Sequence, residues 1–357
     1  MFRGFFRFKS IKDESKRSKI YTVSNEQFLA KDTKRKYVED KVDLKDKFPF
    51  RKELHQKKVV GLRTVIDTNN SLKRGVVNLS KILKNFDAGC TFFISSGKAG
   101  LGESPLSLFN PFFYSEIIKS KRLKLEGFEN VFSGLLLPSK DILKGDVDIL
   151  ESLKRDGFDI GSGSINPPEW IKGVLRRDEE AISTLYSFSI DVFEKIFKMR
   201  CSSFAAPSFF CSNATMLLKE NFYFDFSSDC RGIDPFFPVI DTKVLKTPQV
   251  PITLPLMSEW FCSGRGNAKS FFDYILNEID KQKYPVYEIL PLYEGEEFKS
   301  EFENFLVSCS KKGIVFLSLR EFLGLRISEE KPLPRCTLSY GLIEGRRRFA
   351  TIQLFDV

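Results

Sequence analysis

Apolar and polar positions follow one another along the chain in blocks that predict strands and helices in turn. Between residues 59 and 318, short apolar runs are separated by longer segments whose apolar residues recur every three or four positions. The short runs predict buried strands, and the longer segments predict amphipathic helices. The predicted strands are 59–66, 90–95, 158–163, 203–206, 222–227, 248–252, 285–290 and 313–318, and the predicted helices are 71–86, 105–122, 139–156, 174–198, 211–221, 267–283 and 297–312.

This alternation predicts an α/β fold with a parallel sheet, because each helix returns the chain to the same edge of the sheet. The number of strand–helix units fits a closed, irregular (β/α) barrel best. We therefore predict three parts: a basic N-terminal segment at 1–58, a barrel at 59–325, and a C-terminal extension at 326–357 that packs on the barrel.

The charge of the chain is concentrated in the N-terminal segment. Residues 1–58 hold 18 Lys and Arg against 9 Asp and Glu, so they carry the whole formal net charge of +9. The stretch "MFRGFFRFKSIK" mixes aromatic residues with cations, which suits an anionic membrane surface. The alternative is a solvated, partly disordered leader. A nucleic-acid partner is not expected, since no nucleic-acid fold motif accompanies the charge.

The compartment predicted from the sequence is the cytoplasm, with a peripheral position on the inner face of the cytoplasmic membrane. No apolar run approaches the roughly 18 residues that a membrane span requires. Seven cysteines without a C-x-x-C pair indicate reduced thiols. No oligomeric state is predicted.

Candidate chemistry is expected where the predicted strands end, as in other parallel α/β folds. Asp67 and Thr68 follow the first strand there. The chain has a single histidine, His55, and it precedes the barrel. Zinc hydrolase sites commonly use two or three imidazoles, and general acid–base catalysis most often uses histidine. A metal within the barrel would therefore need oxygen or thiolate ligands.

Five stretches, in this order and spacing, resemble the polysaccharide deacetylase (NodB-homology) family. They are "GLRTVIDTNNSLKRGV", "AAPSFF", "FSSDCRGIDPFFP", "TPQVPITLPLMSEW" and "PVYEILPLYEGEEF". The resemblance is strongest to the branch that deformylates formamido-arabinose carried on undecaprenyl phosphate, and it extends from about residue 59 to about 355. It implies a deformed (β/α) barrel, a metal-dependent hydrolase of C–N amide bonds, and a lipid-linked aminosugar ligand at the cytoplasmic membrane face.

The catalytic motifs of that family are degenerate in this chain. Where the family has two aspartates around one residue, the chain has Val65 and Asp67. Gly163 and Pro167 stand where the resemblance implies a pair of metal-binding histidines. Phe209-Phe210 replace an aromatic–arginine pair, and Leu290 replaces the histidine that protonates the leaving group. We therefore expect no confident catalytic residue, with Asp67 as a remnant, and no cofactor.

Other residues match the branch and are candidate ligand-binding residues. They are Arg63, Asp67, Thr68, Asp229, Arg231, Thr253, Glu259, Tyr287 and Glu294. Arg231, oriented by Asp229, could hold a phosphate or a sugar hydroxyl as a bidentate donor. The alternative is a structural Asp229–Arg231 ion pair. For Asp67 the structural alternative is a cap of the following helix. The small residues at 161–164 either fill the space of the missing imidazoles or present backbone N–H groups to an anion.

Three hypotheses follow. The first is a catalytically degenerate deacetylase-fold protein that binds a lipid-linked or phosphorylated aminosugar. The second is an active deacetylase or deformylase with zinc or manganese in a rebuilt acidic site, drawing on Asp67, Asp159, Glu169 or Glu288. The third is a membrane-associated scaffold without enzymatic activity.

Overall fold

The structure is a computed structural model that describes residues 47–48, 51–100, 108–133, 136–138, 141–143 and 146–355. All of these lie in one compact unit, Asp43–Val357. Most of the predicted N-terminal segment 1–58 lies outside the described residues. The division of the chain at residues 58 and 325 stays a prediction.

Strands and helices alternate through the described chain. The strands are β1 (Val59–Ile66), β2 (Thr91–Ser96), β3 (Asp159–Ile165), β4 (Ser203–Phe204), β5 (Phe226–Ser227), β6 (Phe237–Ile240), β7 (Lys243–Val244), β8 (Val286–Ile289), β9 (Val315–Ser318), β10 (Arg335–Leu342) and β11 (Phe349–Leu354). The helices are α1 (Val77–Asn85), α2 (Pro111–Lys119), α3 (Arg122–Val131), α4 (Val147–Arg155), α5 (Pro167–Arg176), α6 (Glu179–Phe197), α7 (Asn213–Lys219), α8 (Met257–Ser263), α9 (Ala268–Lys281), α10 (Lys299–Lys311) and α11 (Leu319–Ser328).

The main sheet has seven parallel strands in the order β5-β4-β3-β2-β1-β8, and β9 pairs with β1 off this path. One edge of β1 pairs with β8. The other edge pairs with β9 through residues 59–62 and with β2 through residues 63–66. Helices surround this half-barrel, so the predicted deformed (β/α) barrel is confirmed.

The core fills both faces of the sheet, which explains why its strands read as apolar runs. Val60, Leu62 and Ile66 of β1 are fully buried on one face, and Phe93 of β2, which is paired with Val65, is fully buried on the other. On the outside, Trp170 of α5, Tyr186 of α6 and Phe204 of β4 form an aromatic cluster with ring centroids 4.8 to 5.4 Å apart. Such pairs add stability beyond their buried area.

A smaller sheet, β11-β10-β6-β7, is built mostly from the C-terminal hairpin β10–β11. The hairpin is joined to the barrel at Arg231, whose N–H donates to Thr351 at 2.9 Å and whose carbonyl accepts from Gln353 at 2.8 Å. This attachment directs the turn between β10 and β11 towards the C-terminal ends of the barrel strands.

Several predicted elements differ from the structure, and two of them have a clear physical reason. Residues 248–252 form only isolated bridges, through Gln249 and Ile252. Pro248 and Pro251 have no N–H to donate to a ladder, so the apolar run cannot form a regular strand there. The predicted helix 174–198 is two helices, since Arg177 adopts a left-handed conformation with φ of 56° and ends α5.

Candidate functional site

A cleft of about 240 Å³ opens at the C-terminal ends of the barrel strands. The ends of β1, β2, β4 and β8 form its base, and α2, α3, α8 and the β10–β11 turn form its walls. Its charged lining residues are Arg63, Asp67, Glu116, Arg122, Glu126, Glu259, Glu288, Arg346, Arg347 and Arg348. Parallel α/β folds have their functional residues at this end of the sheet.

Asp67 lies in the turn that follows β1, and hydrogen bonds between the neighbouring residues stabilise this turn. The Thr68 hydroxyl accepts from the Ser71 N–H at 3.1 Å, and the Ser71 hydroxyl donates to the Thr68 carbonyl at 2.8 Å. Thr68 therefore caps the following turn, a role that the sequence assigned to Asp67 as an alternative. Asn70 donates to the Glu126 carbonyl at 2.9 Å and joins the turn to α3.

The side chain of Asp67 is exposed in the cleft, and its surroundings are acidic. Its side chain is accessible from the cleft, and protein surrounds it on the other sides. Loss of hydration and, to a smaller extent, the Glu126 carboxylate together raise the pKa of Asp67 to about 6, and the Arg122 guanidinium opposes them. Arg122 donates to Glu126 Oε1 at 2.9 Å, and Glu126 Oε2 is buried without a hydrogen-bond partner among the described residues.

The residues around Asp67 do not fit a catalytic divalent metal ion. Val65, Gly163 and Pro167, at the positions where the resemblance implies an aspartate and two histidines, have no side-chain ligand atom. Within the described residues, no group of three or more His, Cys, Asp or Glu side chains is arranged to hold a metal. One carboxylate rarely holds a divalent ion alone.

The space of one missing imidazole is filled by the sheet itself. The register between β2 and β3 shifts between Ile94 and Ser96, which places Ser95 against Gly163. A Cβ atom at Gly163 would overlap the Ser95 hydroxyl and lie 3.1 Å from the Ser95 amide nitrogen. This favours the space-filling interpretation of the small residues at 161–164.

Leu290 directly follows β8, at the position of the implied general acid, and a hydrogen bond fixes its backbone. Its N–H donates to Glu294 Oε2 at 2.9 Å, and the Tyr287 hydroxyl donates to the other carboxylate oxygen. Burial raises the pKa of Glu294 to about 8. Tyr287 and Glu294 thus support the cleft floor and do not line it.

Three arginines surround one aromatic ring at the base of the cleft. The guanidinium carbons of Arg63, Arg231 and Arg346 lie 4.9, 5.3 and 5.1 Å from the Phe209 ring centroid. Arg63 is paired with Glu288 and donates to its Oε2 at 2.6 Å. Arg231 and Arg346 share one carboxylate, Glu259, at 3.3 and 3.2 Å. Such stacking combines cation–π attraction with packing.

The two interpretations of Asp229 and Arg231 both differ from the structure. Asp229 is fully buried and pairs with Lys219, and it accepts from the Ala206 N–H at 2.7 Å and from Gln249 at 3.0 Å. Arg231 instead bonds Glu259 and donates to the Leu254 carbonyl at 2.9 Å. Asp229 thus neither orients Arg231 nor forms an ion pair with it.

The structure brings together only part of the predicted site. Arg63, Asp67, Thr68, Glu259 and Glu288 line the cleft. Asp229, Arg231, Thr253, Tyr287 and Glu294 lie behind its walls; Thr253, for example, accepts from the Val286 N–H at 2.9 Å. Asp159 begins β3, where it accepts from Thr91 at 2.7 Å and Arg320 at 3.3 Å. It therefore lies at the other end of that strand from Gly163.

The residues that the sequence analysis missed come from the walls. Arg122 and Glu126 on α3, and Arg346–Arg348 in the β10–β11 turn, line the cleft. The run of three arginines between two strand-like stretches was a signal of a charged turn, but nothing in it indicated the cleft.

Comparison with known proteins supports the fold and the family. No protein-family model matches the chain. It is 28% identical over 276 residues to the probable 4-deoxy-4-formamido-L-arabinose-phosphoundecaprenol deformylase of Wigglesworthia glossinidia brevipalpis, covering 77% of this chain and 95% of the relative. It is 27% identical over 270 residues to the protein of the same description from Shewanella sediminis (strain HAW-EB3), covering 74% and 85%.

Solved structures agree in fold. A putative polysaccharide deacetylase from Mycobacterium smegmatis matches with a TM-score of 0.53 and 13% identity, covering 78% of this chain and 93% of that one. A probable polysaccharide deacetylase from Pseudomonas aeruginosa PAO1 matches with a TM-score of 0.52 and 11% identity, covering 77% and 92%. The resemblance to the polysaccharide deacetylases, and to the formamido-arabinose deformylase branch, is confirmed.

Proposed function

Starting from this kinship with polysaccharide deacetylases, we propose that the chain is a catalytically degenerate relative that binds a lipid-linked or phosphorylated aminosugar without hydrolysing it. One observation carries the proposal. The family cleft is open and polar at Asp67, while the metal-binding and catalytic positions hold Val65, Gly163, Pro167 and Leu290.

The lining of the cleft suits a sugar ring. Asp67 is mostly ionised at neutral pH, with a pKa of about 6, and its carboxylate can accept hydrogen bonds from sugar hydroxyls. Ile171 and Leu290 supply apolar lining for the C–H face of the ring. Apolar walls with a few fixed polar groups are typical of small-ligand sites.

The same lining does not suit amide hydrolysis. A bound divalent metal would lower the pKa of a water molecule towards about 7 and so supply a nucleophile, but the residues around Asp67 do not fit such an ion. The single histidine, His55, lies in a short turn before β1 and not in the cleft lining. Leu290 has no proton to give to a departing amine. The cleft therefore suits binding of the aminosugar and not its hydrolysis.

We further propose that the ligand is reached at the inner face of the cytoplasmic membrane. No helix in the described parts of the chain has both the length and the apolar character to cross a bilayer. The two helices that wall the cleft, α2 and α3, carry exposed apolar side chains on their outer side. Phe109, just before α2, and Phe112, Ile118 and Phe128 are 85, 75, 66 and 57% exposed. Aromatic groups beside cations favour an interfacial position.

The test separates binding from hydrolysis in one preparation. The full chain is titrated by calorimetry with a farnesyl-phospho-4-formamido-arabinose probe, and formate release is followed by NMR, with metal content measured by elemental analysis. We expect saturable binding, no formate, and weaker binding by Asp67→Ala. Asp273→Ala, which changes an exposed aspartate on α9, is the matched control and should bind normally.

Two results would replace the proposal. Formate release that is lost in Asp67→Ala, with about one zinc or manganese per chain, would establish the rebuilt acidic hydrolase; the raised pKa of Asp67, which suits a base near neutral pH, is the observation that favours it. No binding of the probe at millimolar concentration would leave the scaffold hypothesis.

A further inference from the structure

The turn between β10 and β11 brings a concentration of positive charge to the mouth of the cleft. Gly345, Arg346, Arg347 and Arg348 all line it. Gly345 has φ of 81°, and a Cβ atom there would overlap the Glu259 carbonyl oxygen. Only glycine allows this close approach, so the turn is fixed against α8 and the arginines that follow it are held over the cleft.

Around the Phe209 ring, three guanidinium groups are paired with only two carboxylates. Arg231 and Arg346 share the single carboxylate of Glu259, while Arg63 has Glu288 to itself. The three guanidinium groups crowd around the Phe209 ring, and Glu259 is 3% exposed. In this partly buried setting one surplus positive charge is poorly screened by solvent.

Arg346 also has an unused donor. Its Nη1 donates to Glu259 at 3.2 Å and its Nη2 donates to the Ser208 carbonyl at 3.1 Å. Its Nε is buried and has no hydrogen-bond partner among the described residues. A buried donor without an acceptor is costly, so a missing acceptor is a reason to look for a ligand.

We propose that Arg346 and Arg347 form a subsite for the phosphoryl group of a glycosyl phosphate, at the mouth of the sugar-binding cleft. The inference rests on the proposed function and specifies its ligand. A phosphate oxygen supplies an acceptor for the Arg346 Nε–H and a negative charge for the surplus guanidinium, and arginine is well suited to such oxygens.

The position of the subsite also fits this ligand class. Arg347 donates to Glu116 of α2 at 3.0 Å, and its guanidinium carbon lies 5.7 Å from the Phe113 ring centroid. The arginines therefore stand between the sugar cleft and the helix that carries the exposed Phe112. In a lipid-linked sugar the phosphate occupies that same place, between the sugar and the lipid.

The test uses three probes that dissect the ligand. They are the farnesyl-phospho-formamido-arabinose probe, the glycosyl phosphate without the lipid, and the methyl glycoside without the phosphate. We expect Arg346→Gln to weaken binding of both phosphorylated probes about tenfold or more, since a charge-assisted hydrogen bond is lost. Binding of the methyl glycoside should not change. Arg155→Gln, an exposed arginine at the end of α4, is the matched control.

The outcomes distinguish this inference from the proposed function. If the wild-type chain binds none of the three probes, the proposed function fails. If it binds all three and Arg346→Gln binds the phosphorylated probes as well as the wild type does, only the phosphate subsite is overturned. Equal affinity for both phosphorylated probes would identify a soluble glycosyl phosphate as sufficient, and a preference for the farnesyl probe would identify the lipid-linked form.

A competition measurement on the wild-type chain covers the case in which Arg346→Gln does not fold. Inorganic phosphate should raise the apparent Kd of the phosphorylated probes and leave that of the methyl glycoside unchanged. No competition by phosphate at tens of millimolar would overturn the subsite.

Discussion

At the scale of single residues, Asp67 shows how an inherited side chain changes its chemistry when its neighbours change. The walls of the cleft reduce the hydration of its carboxyl group, which is still exposed to the cleft, and Glu126 adds a second negative charge from α3. Both raise the pKa of Asp67 to about 6, whereas a carboxylate beside a bound cation would have a lowered pKa. Asp67 is thus suited to contact a ligand group that is neutral or only weakly acidic.

The first prediction concerns the pH dependence of stability. A carboxyl group whose pKa is raised in the folded state favours folding below its unfolded pKa near 4, and this contribution is lost as the pH rises through about 6. Asp67→Asn removes the ionisation, so we expect its melting temperature to exceed that of the wild type at pH 7.5 and to match it at pH 4. Calorimetric scans at both values measure this.

Asp273→Asn, on the exposed side of α9, should match the wild type at both pH values. An Asp67→Asn protein that is less stable than the wild type at pH 7.5 would show that the ionised carboxylate stabilises the fold, against the raised pKa.

The second prediction concerns the filled imidazole position. Because a Cβ at Gly163 would overlap the Ser95 hydroxyl and crowd its backbone, we expect Gly163→Ala to lower the free energy of unfolding by about 1–3 kcal/mol. The Ser95→Gly/Gly163→Ala double variant moves the side chain from one strand to the other and should recover most of that loss. Urea denaturation of the two single variants and the double variant measures the coupling. Independent, additive effects would show that Ser95 does not occupy the space.

At the scale of elements, the strands of the barrel could be predicted because a strand that is buried on both faces consists of consecutive, mainly apolar residues. "VVGLRTVI" and "GIVFLS" are mainly apolar for that reason, and β1 and β9 form there. The run 248–252 also has buried apolar residues, Val250 and Ile252, but its two prolines prevent a ladder. The helix break at Arg177 has no comparable signal in the sequence. An arginine adopts a left-handed conformation because of its packing and not because of its intrinsic backbone preference.

The candidate site likewise contains residues that could be placed from the sequence and residues that could not. Asp67 and Leu290 could be placed from the sequence because each follows a recognisable strand. Glu259 pairs with Arg231 and Arg346, which are 28 and 87 residues away, and Asp229 pairs with Lys219 and not with its neighbour Arg231. These ion pairs depend on how loops that are distant in the sequence meet over the barrel. Composition and motif spacing do not specify that arrangement.

The third prediction tests the ion pair that joins two such elements. Lys219 ends α7, is fully buried, and contacts Asp229 and Ser227 beside β5, the latter at 3.0 Å; burial lowers the pKa of Lys219 to about 8. Lys219→Met leaves Asp229 buried without its cation, so we expect a loss of about 3–5 kcal/mol in the free energy of unfolding.

The Lys219→Met/Asp229→Asn double variant removes both charges and should lose less than Lys219→Met alone, since no buried charge is left unpaired. Urea denaturation at pH 7 provides the comparison. Lys269→Met, an exposed lysine on α9, is the control for the apolar substitution. A double variant that is no more stable than Lys219→Met would contradict the view that the unpaired charge causes the loss.

At the scale of the whole molecule, the cleft, the arginine turn and the exposed aromatic side chains lie on one side of the barrel. The β10–β11 turn reaches α2 through Arg347 and Glu116, and α2 carries Phe112 on its outer side. A ligand with a sugar, a phosphate and a lipid would meet these three surfaces in that order. The arrangement therefore predicts that the mouth of the cleft faces a membrane.

The fourth prediction is that the full chain binds anionic vesicles through this side. We expect cosedimentation with vesicles of phosphatidylglycerol and phosphatidylcholine, weaker with phosphatidylcholine alone, and decreasing as salt screens the basic charge. Phe109→Ser/Phe112→Ser should lower the partition coefficient about tenfold, because each phenylalanine that enters the interface contributes apolar burial. Phe188→Ser, an exposed phenylalanine on α6, should bind like the wild type. If all three proteins bind equally, the contact is made by basic charge alone, and the cleft need not face the lipid for binding to occur.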